Sequence, residues 1–390
     1  MEKQAYPDQY LYPGGPPKPP YDLAGWTLPL QMGVQVDRID TPFTTSTQAL
    51  TNLITVTAEK PTGKAAAGYF FSNKENESYT AANRLAQKGY TLYITQDGFI
   101  AETADGLEEA VKAIAAKRGI AFEGISKIPK EAQQKFSAYK FGIYKSWVAN
   151  MDEGWTRWVL KEHAFAVDTL YDKDIQRGDL SQYAAIIIPD QRPNRILHGH
   201  SEGRMPEEYV GGIGLGGISQ LSDYVKNGGR LITFDKASDL AIEQFGLPIK
   251  NVTKNLPADK FFIPGSLIRA KVDTKHPLAN GMQEHIAASF SRSRAFDIAK
   301  PSYRGEGGEE TIEKAPEPDV DIIVTFGSKD LLLSGWANGE EKYLKNKAAM
   351  MRVSYGKGDL VLFSFRPQFR GQPRGTYKLI FNAILQAATE

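Results

Sequence analysis

From Lys140 onward, short apolar runs alternate with stretches whose apolar residues recur at helical spacing. That alternation confines the chain to an α/β architecture. Phe141 to Trp147 reads as a strand, and Asn150 with Glu153 three residues later forms an N-cap pair ahead of Trp155, Trp158 and Val159. Ala184 to Ile188 is a second strand, ended by Pro189. Ile218, Leu221, Tyr224 and Val225 mark one helix face, which Gly228-Gly229 stops before the strand Leu231 to Phe234. Ser238 is placed to cap the helix that follows. Ala349 to Ser354 and Leu360 to Phe365 flank Tyr355-Gly-Lys-Gly358 as a hairpin, and Thr376 to Gln386 closes the chain as a helix. Strands separated by helices predict a mostly parallel, doubly wound sheet.

Two further regions precede this one. Residues 1–50 carry Pro7, Pro13, Pro16, Pro17, Pro19 and Pro20, which favours an extended strap or linker. Residues 51–136 form a smaller α/β domain, with strands at Ala66 to Ser72 and Tyr90 to Thr95 and helices at Ser78 to Lys88 and Leu107 to Lys117. A polar, Lys-rich hinge near Lys127 to Lys135 leads into the large domain, residues 137–390.

The charge balance, 47 Lys+Arg against 46 Asp+Glu, lacks the basic run that a nucleic-acid partner needs. Apolar runs such as Ala184 to Ile188 are far too short to cross a bilayer, so no membrane partner is expected. The opening Met1-Glu-Lys-Gln-Ala-Tyr-Pro is polar and carries no export signal of its own. With no cysteine in 390 residues, disulfides, a thiolate nucleophile and a cysteine-held zinc are all excluded.

In a parallel α/β sheet, ligands bind beyond the carboxyl ends of the strands. Trp147, Asp152 and Glu153 follow the first strand of the large domain, Asp190 and Gln191 the second, and Asp235, Lys236 and Ser238 the third. Arg366, Gln368 and Arg370 follow the last. Such a set either holds a small anionic ligand or a peptide, because arginine forks pair with carboxylates, or closes the loops by pairing internally. His198, His200 and Glu202 are weak metal candidates in a glycine-rich loop. Gly212-Ile-Gly214-Leu-Gly216-Gly217 serves better as a turn into a helix than as a dinucleotide loop, since no strand directly precedes it. Ser238 stands between strand and helix, the place of a nucleophile elbow, but without the flanking glycines that turn needs.

Longer strings carry a resemblance. Pro20-Tyr-Asp22, Trp26-Thr-Leu-Pro-Leu-Gln-Met-Gly-Val34, Lys145-Ser-Trp147, Asn150-Met-Asp-Glu-Gly-Trp-Thr-Arg-Trp158, Ile188-Pro-Asp-Gln191, Gly246-Leu-Pro248 and Phe365-Arg-Pro-Gln-Phe-Arg370 resemble the C-terminal region of large bacterial zinc carboxypeptidase-like proteins. His276-Pro-Leu-Ala-Asn-Gly-Met282 and Gly356-Lys-Gly358 are similar to segments of the class I glutamine amidotransferase-like group. The resemblance implies an amidotransferase/flavodoxin-like fold for residues 137–390. It also implies a secreted or periplasmic parent whose zinc lies in a separate peptidase domain, leaving this chain without a cofactor and with that domain as partner. Peptidase chemistry needs a His-x-x-Glu zinc site, and none of the five histidines has a glutamate three residues later. Amidotransferase chemistry needs a cysteine on the elbow and a His-x-Glu behind it. His200-Ser-Glu202 matches that pair in type but precedes the elbow. The expectation is a non-catalytic accessory region, with a stand-alone binding module and a hydrolase using Ser238 or a His198/His200 metal as alternatives.

Overall fold

Alternating burial in Gly68–Ser72 (β1) and complete burial of Phe99 in Gly98–Glu102 (β3) set up an antiparallel pair that nucleates the smaller sheet. Leu92–Ile94 (β2), Glu123–Ile125 (β4) and Gln134–Phe136 (β5) complete it in the order β4-β1-β3-β2-β5. The computed structural model describes residues 9–13, 15, 17–18, 27–35, 37, 39–52, 60–130, 132, 134–136, 139–299 and 319–389. Pro7, Pro16, Pro19 and Pro20 of the strap, and Tyr21, Asp22 and Trp26 of the family-like strings, lie outside them. Within the strap, Leu28–Met32 makes one short helix (α1), begun at a proline in its first turn and ended by Gly33 at φ 69°.

Asn76–Gln87 (α2) and Leu107–Arg118 (α3) cover one face of the small sheet. The other side of α2 packs on the large unit. Tyr79 Oη donates to Asn382 Oδ1 at 2.8 Å, Asn83 Nδ2 donates to the His163 carbonyl at 2.9 Å, and Thr80 Oγ1 lies 2.9 Å from His163 Nδ1. Rings continue the contact, with Tyr79 5.4 Å and Phe165 4.9 Å from Phe381, so one apolar core runs beneath both sheets.

The large unit begins with β6 (Phe141–Tyr144), α4 (Met151–Glu162), β7 (Val167–Leu170), α5 (Asp172–Arg177), β8 (Ala185–Ile188) and α6 (Pro193–His198). It continues through α7 (Gly214–Lys226), β9 (Arg230–Phe234) and α8 (Lys236–Gln244). Then follow β10 (Ile249–Asn251), β11 (Ser266–Val272), β12 (His285–Phe290), β13 (Phe296–Ile298), β14 (Val320–Phe326) and β15 (Leu332–Ser334). The chain ends with α9 (Glu340–Tyr343), β16 (Ala348–Tyr355), β17 (Gly358–Phe363) and α10 (Tyr377–Leu385).

The α/β class matches the sequence reading, and the sheet order is β12-β11-β14-β16-β17-β9-β8-β6-β7. Only β17, β9, β8, β6 and β7 pair in parallel; β12, β11, β14 and β16 are antiparallel. The expectation of a mostly parallel sheet is thereby corrected. Among the described residues between α8 and β16 the chain supplies strands with no crossover helix long enough to return it in parallel, and successive strands reverse. Helices α4 and α10 cover one face of the parallel half, and α5 to α8 cover the other. The hairpin turns at Gly356, whose φ of 66° lets Tyr355 face Gly358.

Candidate functional site at the strand ends

Asp235 ends β9 at φ 50° and ψ −113°, a conformation that few non-glycine residues adopt. It is the sharp strand-to-helix turn, and α8 starts one residue later at Lys236. The elbow, expected near Lys236 to Ser238, is corrected to Asp235, and the capping role expected of Ser238 is corrected with it. Ser238 lies inside α8, fully buried; its hydroxyl donates to the Phe363 carbonyl at 2.9 Å and sits 2.9 Å from Thr233 Oγ1. A serine pinned in this way between two strands is not presented to a substrate.

Register explains what surrounds Asp235. β8 pairs with β9 so that Ile188 faces Thr233, which puts Asp190 level with Asp235. β17 pairs with β9 so that Phe363 faces Phe234, and the chain leaving β17 brings Arg366 over the same edge. Asp152, in the first turn of α4, completes the group. Arg366 Nη1 lies 3.3 Å from Asp152 Oδ2 and 3.6 Å from Asp190 Oδ2, and its Nε lies 3.6 Å from Asp235 Oδ2. Lys236 pairs with Asp190 at 3.0 Å. Ser293 Oγ donates to Asp235 Oδ2 at 2.6 Å, while Arg294 lies 3.5 Å from Asp235 and 2.8 Å from Asp239.

The carboxylates and Arg366 are interior, with Asp235 0% and Arg366 6% exposed, while Lys236 and Arg294 are half-buried at the edge. Burial pushes the Asp235 carboxyl well above the usual carboxylate range, with Asp190 adding to the rise and Lys236, Arg294 and Arg366 opposing it. Burial also raises Asp152, against the pull of Arg366. Asp235 Oδ1 and Arg366 Nε have no hydrogen-bond partner and are held by charge alone.

The other candidates separate. Glu153 does not close a capping box but pairs with Arg157 at 2.7 Å, while the Asn150 side chain accepts from Asp152 N at 2.9 Å. Gln191 reaches the Val148 carbonyl at 3.4 Å, and Gln368 donates to Thr156 Oγ1 at 2.7 Å. Arg370 is outside the cluster, exposed at φ 52°, with its guanidinium 5.4 Å from the Phe369 ring. Trp147 stacks on Tyr171 at 4.4 Å. His200 Nε2 lies 3.2 Å from the Trp147 carbonyl, His198 and Glu202 are exposed, and no set of three or more His, Asp or Glu among the described residues is placed to hold a metal. Ser293 and Arg294 were missed by sequence reasoning. They come from the turn after β12, and no local pattern links that turn to β9.

No protein-family model matches the chain, and no curated protein matches it. Among solved structures, a cytoplasmic protein of Salmonella typhimurium is similar over 65% of this chain and 100% of its own, at 17% identity and a TM-score of 0.38. A ThuA-like protein of Bacteroides uniformis is similar over 63% of this chain and 89% of its own, at 13% identity and a TM-score of 0.34. For β-galactosidase of Bacillus circulans the corresponding values are 66% and 32%, at 10% identity and a TM-score of 0.37.

Proposed function

We propose that the chain is a non-catalytic module of amidotransferase-like fold that serves a peptidase domain, as the accessory region of a zinc carboxypeptidase-like parent. The observation that carries the non-catalytic part is the elbow. Where amidotransferase chemistry needs a thiol, this chain has Asp235, fully buried and enclosed by Ser293, Arg294 and Arg366. Where it needs His-x-Glu behind the elbow, the chain has Arg366-Pro-Gln368 at the same spacing.

A guanidinium stays protonated at any working pH and cannot serve as a base, and an amide cannot orient one by charge. Zinc belongs to the parent's peptidase domain in this reading, and no step here runs through it. A carboxylate nucleophile would need an approach that a 0% exposed residue lacks.

The test is turnover of glutamine and of C-terminal peptide bonds by the purified chain, together with its retention by the peptidase domain. Retention without turnover is the expected result. Hydrolysis that a chelator abolishes, or that D235N abolishes, would overturn the reading.

A further inference from the structure

A groove runs along the seam between the two sheets, away from the elbow. Two cavities, of about 710 Å³ and about 300 Å³, share Met32, Val34, Glu75, Asn76 and Arg374 in their walls and are two reaches of one channel. The strap roofs it. Thr27 Oγ1 donates to Ser334 Oγ at 2.8 Å, Gln283 Nε2 donates to the Gly33 carbonyl at 2.9 Å, and Gly33 packs backbone to backbone on Gly375. The larger reach lies in the size range of ligand pockets.

Its polar groups are unspent. Tyr377 is 2% exposed and lines the smaller reach, yet its hydroxyl has no hydrogen-bond partner among the described residues. Asn76 gives its amide N–H to the Arg374 carbonyl at 3.0 Å, while its Oδ1 has none. Buried hydroxyls and amides are normally satisfied, and these two line an open groove, where a ligand can supply the missing partner.

The charge points the same way. Lys378 is 8% exposed, and its ammonium donates to the carbonyls of Lys74 and Gly281 with no carboxylate paired to it among the described residues. Burial lowers its pKa to about 8. The Lys74 and Arg374 side chains form no ion pair among the described residues. In the larger reach, Lys74, Arg269, Arg374 and Lys378 stand against only Glu75 and Asp97.

We infer that the seam groove binds an extended peptide, with its carboxylate drawn to Lys378 and Arg374, its backbone N–H to Asn76 Oδ1 and a backbone carbonyl to the Tyr377 hydroxyl. Apolar side chains of the peptide meet Leu30, Met32 and Ile286. The inference is independent of the elbow reading, since no elbow residue lines either cavity.

The test passes a randomised hexapeptide pool with free C-termini, and the same pool amidated, over the immobilised full chain, with free glutamate as a competitor. Free-acid peptides are expected to be retained, with affinity about tenfold weaker after amidation, as loss of a charge-assisted bond predicts. Y377F and R374M should each weaken the selected peptide by about five- to tenfold without moving the unfolding midpoint. Tyr377→Phe removes a hydroxyl that makes no internal bond, so lost binding cannot be blamed on misfolding. No retention from either pool overturns the proposal, as does binding by both variants that is unchanged from the parent. Equal retention of the amidated pool overturns the carboxylate assignment, and full displacement by free glutamate overturns the peptide one.

Discussion

At the strand ends, Asp152, Asp190, Asp235 and Asp239 are enclosed with Lys236, Arg294 and Arg366, and each charge has an opposite within 4 Å. Along the seam, Lys74, Arg374 and Lys378 have no carboxylate partner among the described residues, and a tyrosine hydroxyl and an amide oxygen are unused. Both regions are polar and partly or wholly interior. At the strand ends the charges are paired at close range, although Asp152 Oδ1, Asp235 Oδ1 and Arg366 Nε lack hydrogen bonds among the described residues; along the seam the cations stand unpaired over an open groove. Polar residue type alone therefore does not locate a binding site; the distinction lies in whether the charges are already paired and whether open space adjoins them.

The comparison breaks most visibly at its two arginines. Arg366→Met leaves three buried carboxylates without their shared cation, and removing one partner of a buried ion pair costs about 3–5 kcal/mol. Arg374→Met removes an exposed cation with no ion-pair partner among the described residues and should stay within about 0.5 kcal/mol of the parent. Urea denaturation at neutral pH reads both. A loss below about 1 kcal/mol for Arg366→Met, the size of an exposed pair, would mean that the strand-end cluster is not the closed network described.

Acid and base responses separate the regions by sign. Burial at the seam lowers the His163 pKa from 6.5 to about 4, with Arg374 and Arg118 lowering it further and Glu77 opposing. Because the native value lies below the unfolded one, the contribution is complete above pH 6.5 and lost as pH falls toward 4, amounting to about 2–3 kcal/mol. Asp235 runs the other way. Its native pKa is raised, so its contribution is complete below the unfolded value of 3.8 and lost as pH rises through the native one. Stability measured from pH 4 to 7 should therefore fall with rising pH in His163→Gln and climb more steeply than the parent in D235N. Identical slopes in both variants would contradict the assignment.

How much of this was legible in the sequence follows from the range of the interactions. β6, β8 and β9 and helices α4 and α7 announce themselves within ten or so residues, because periods of 2 and 3.6 are local properties. The antiparallel half does not. β10, β13 and β15 are three residues each, too short to show a period, and their partners lie far along the chain. Asp152, Asp190 and Arg366 were legible as strand-end residues, whereas Glu153 and Arg370 share their sequence neighbourhood and point elsewhere. The turn at Asp235 rests on one dihedral angle that no residue pattern encodes, which is why Ser238 looked like the elbow. The seam was least legible of all, since Lys378 meets Lys74 and Tyr79 meets Asn382 across some 300 positions.

Tyr79 tests how tightly that seam is held. Its hydroxyl donates to Asn382 Oδ1, inside the core that both sheets share. Tyr79→Phe leaves a buried amide oxygen without this donor, at about 1–2 kcal/mol, and the unfolding transition should shift as a single step. Two separated transitions would show the small unit to be only loosely coupled to the large one.

Among the substitutions of buried groups the smallest loss is expected at Ser238, and it bears on the strand ends. Ser238→Ala deletes one of two donors to the Phe363 carbonyl, the other being Asp235 N, and a neighbour of Thr233 Oγ1. The loss should be about 1 kcal/mol, the net value of one intramolecular hydrogen bond. A serine-reactive fluorophosphonate should label neither the parent nor the variant, because the hydroxyl is fully buried and already donated. Labelling of the parent that disappears in Ser238→Ala would reopen the strand ends as a catalytic surface and remove the contrast with the seam, since the closed region would then be the one that admits a ligand.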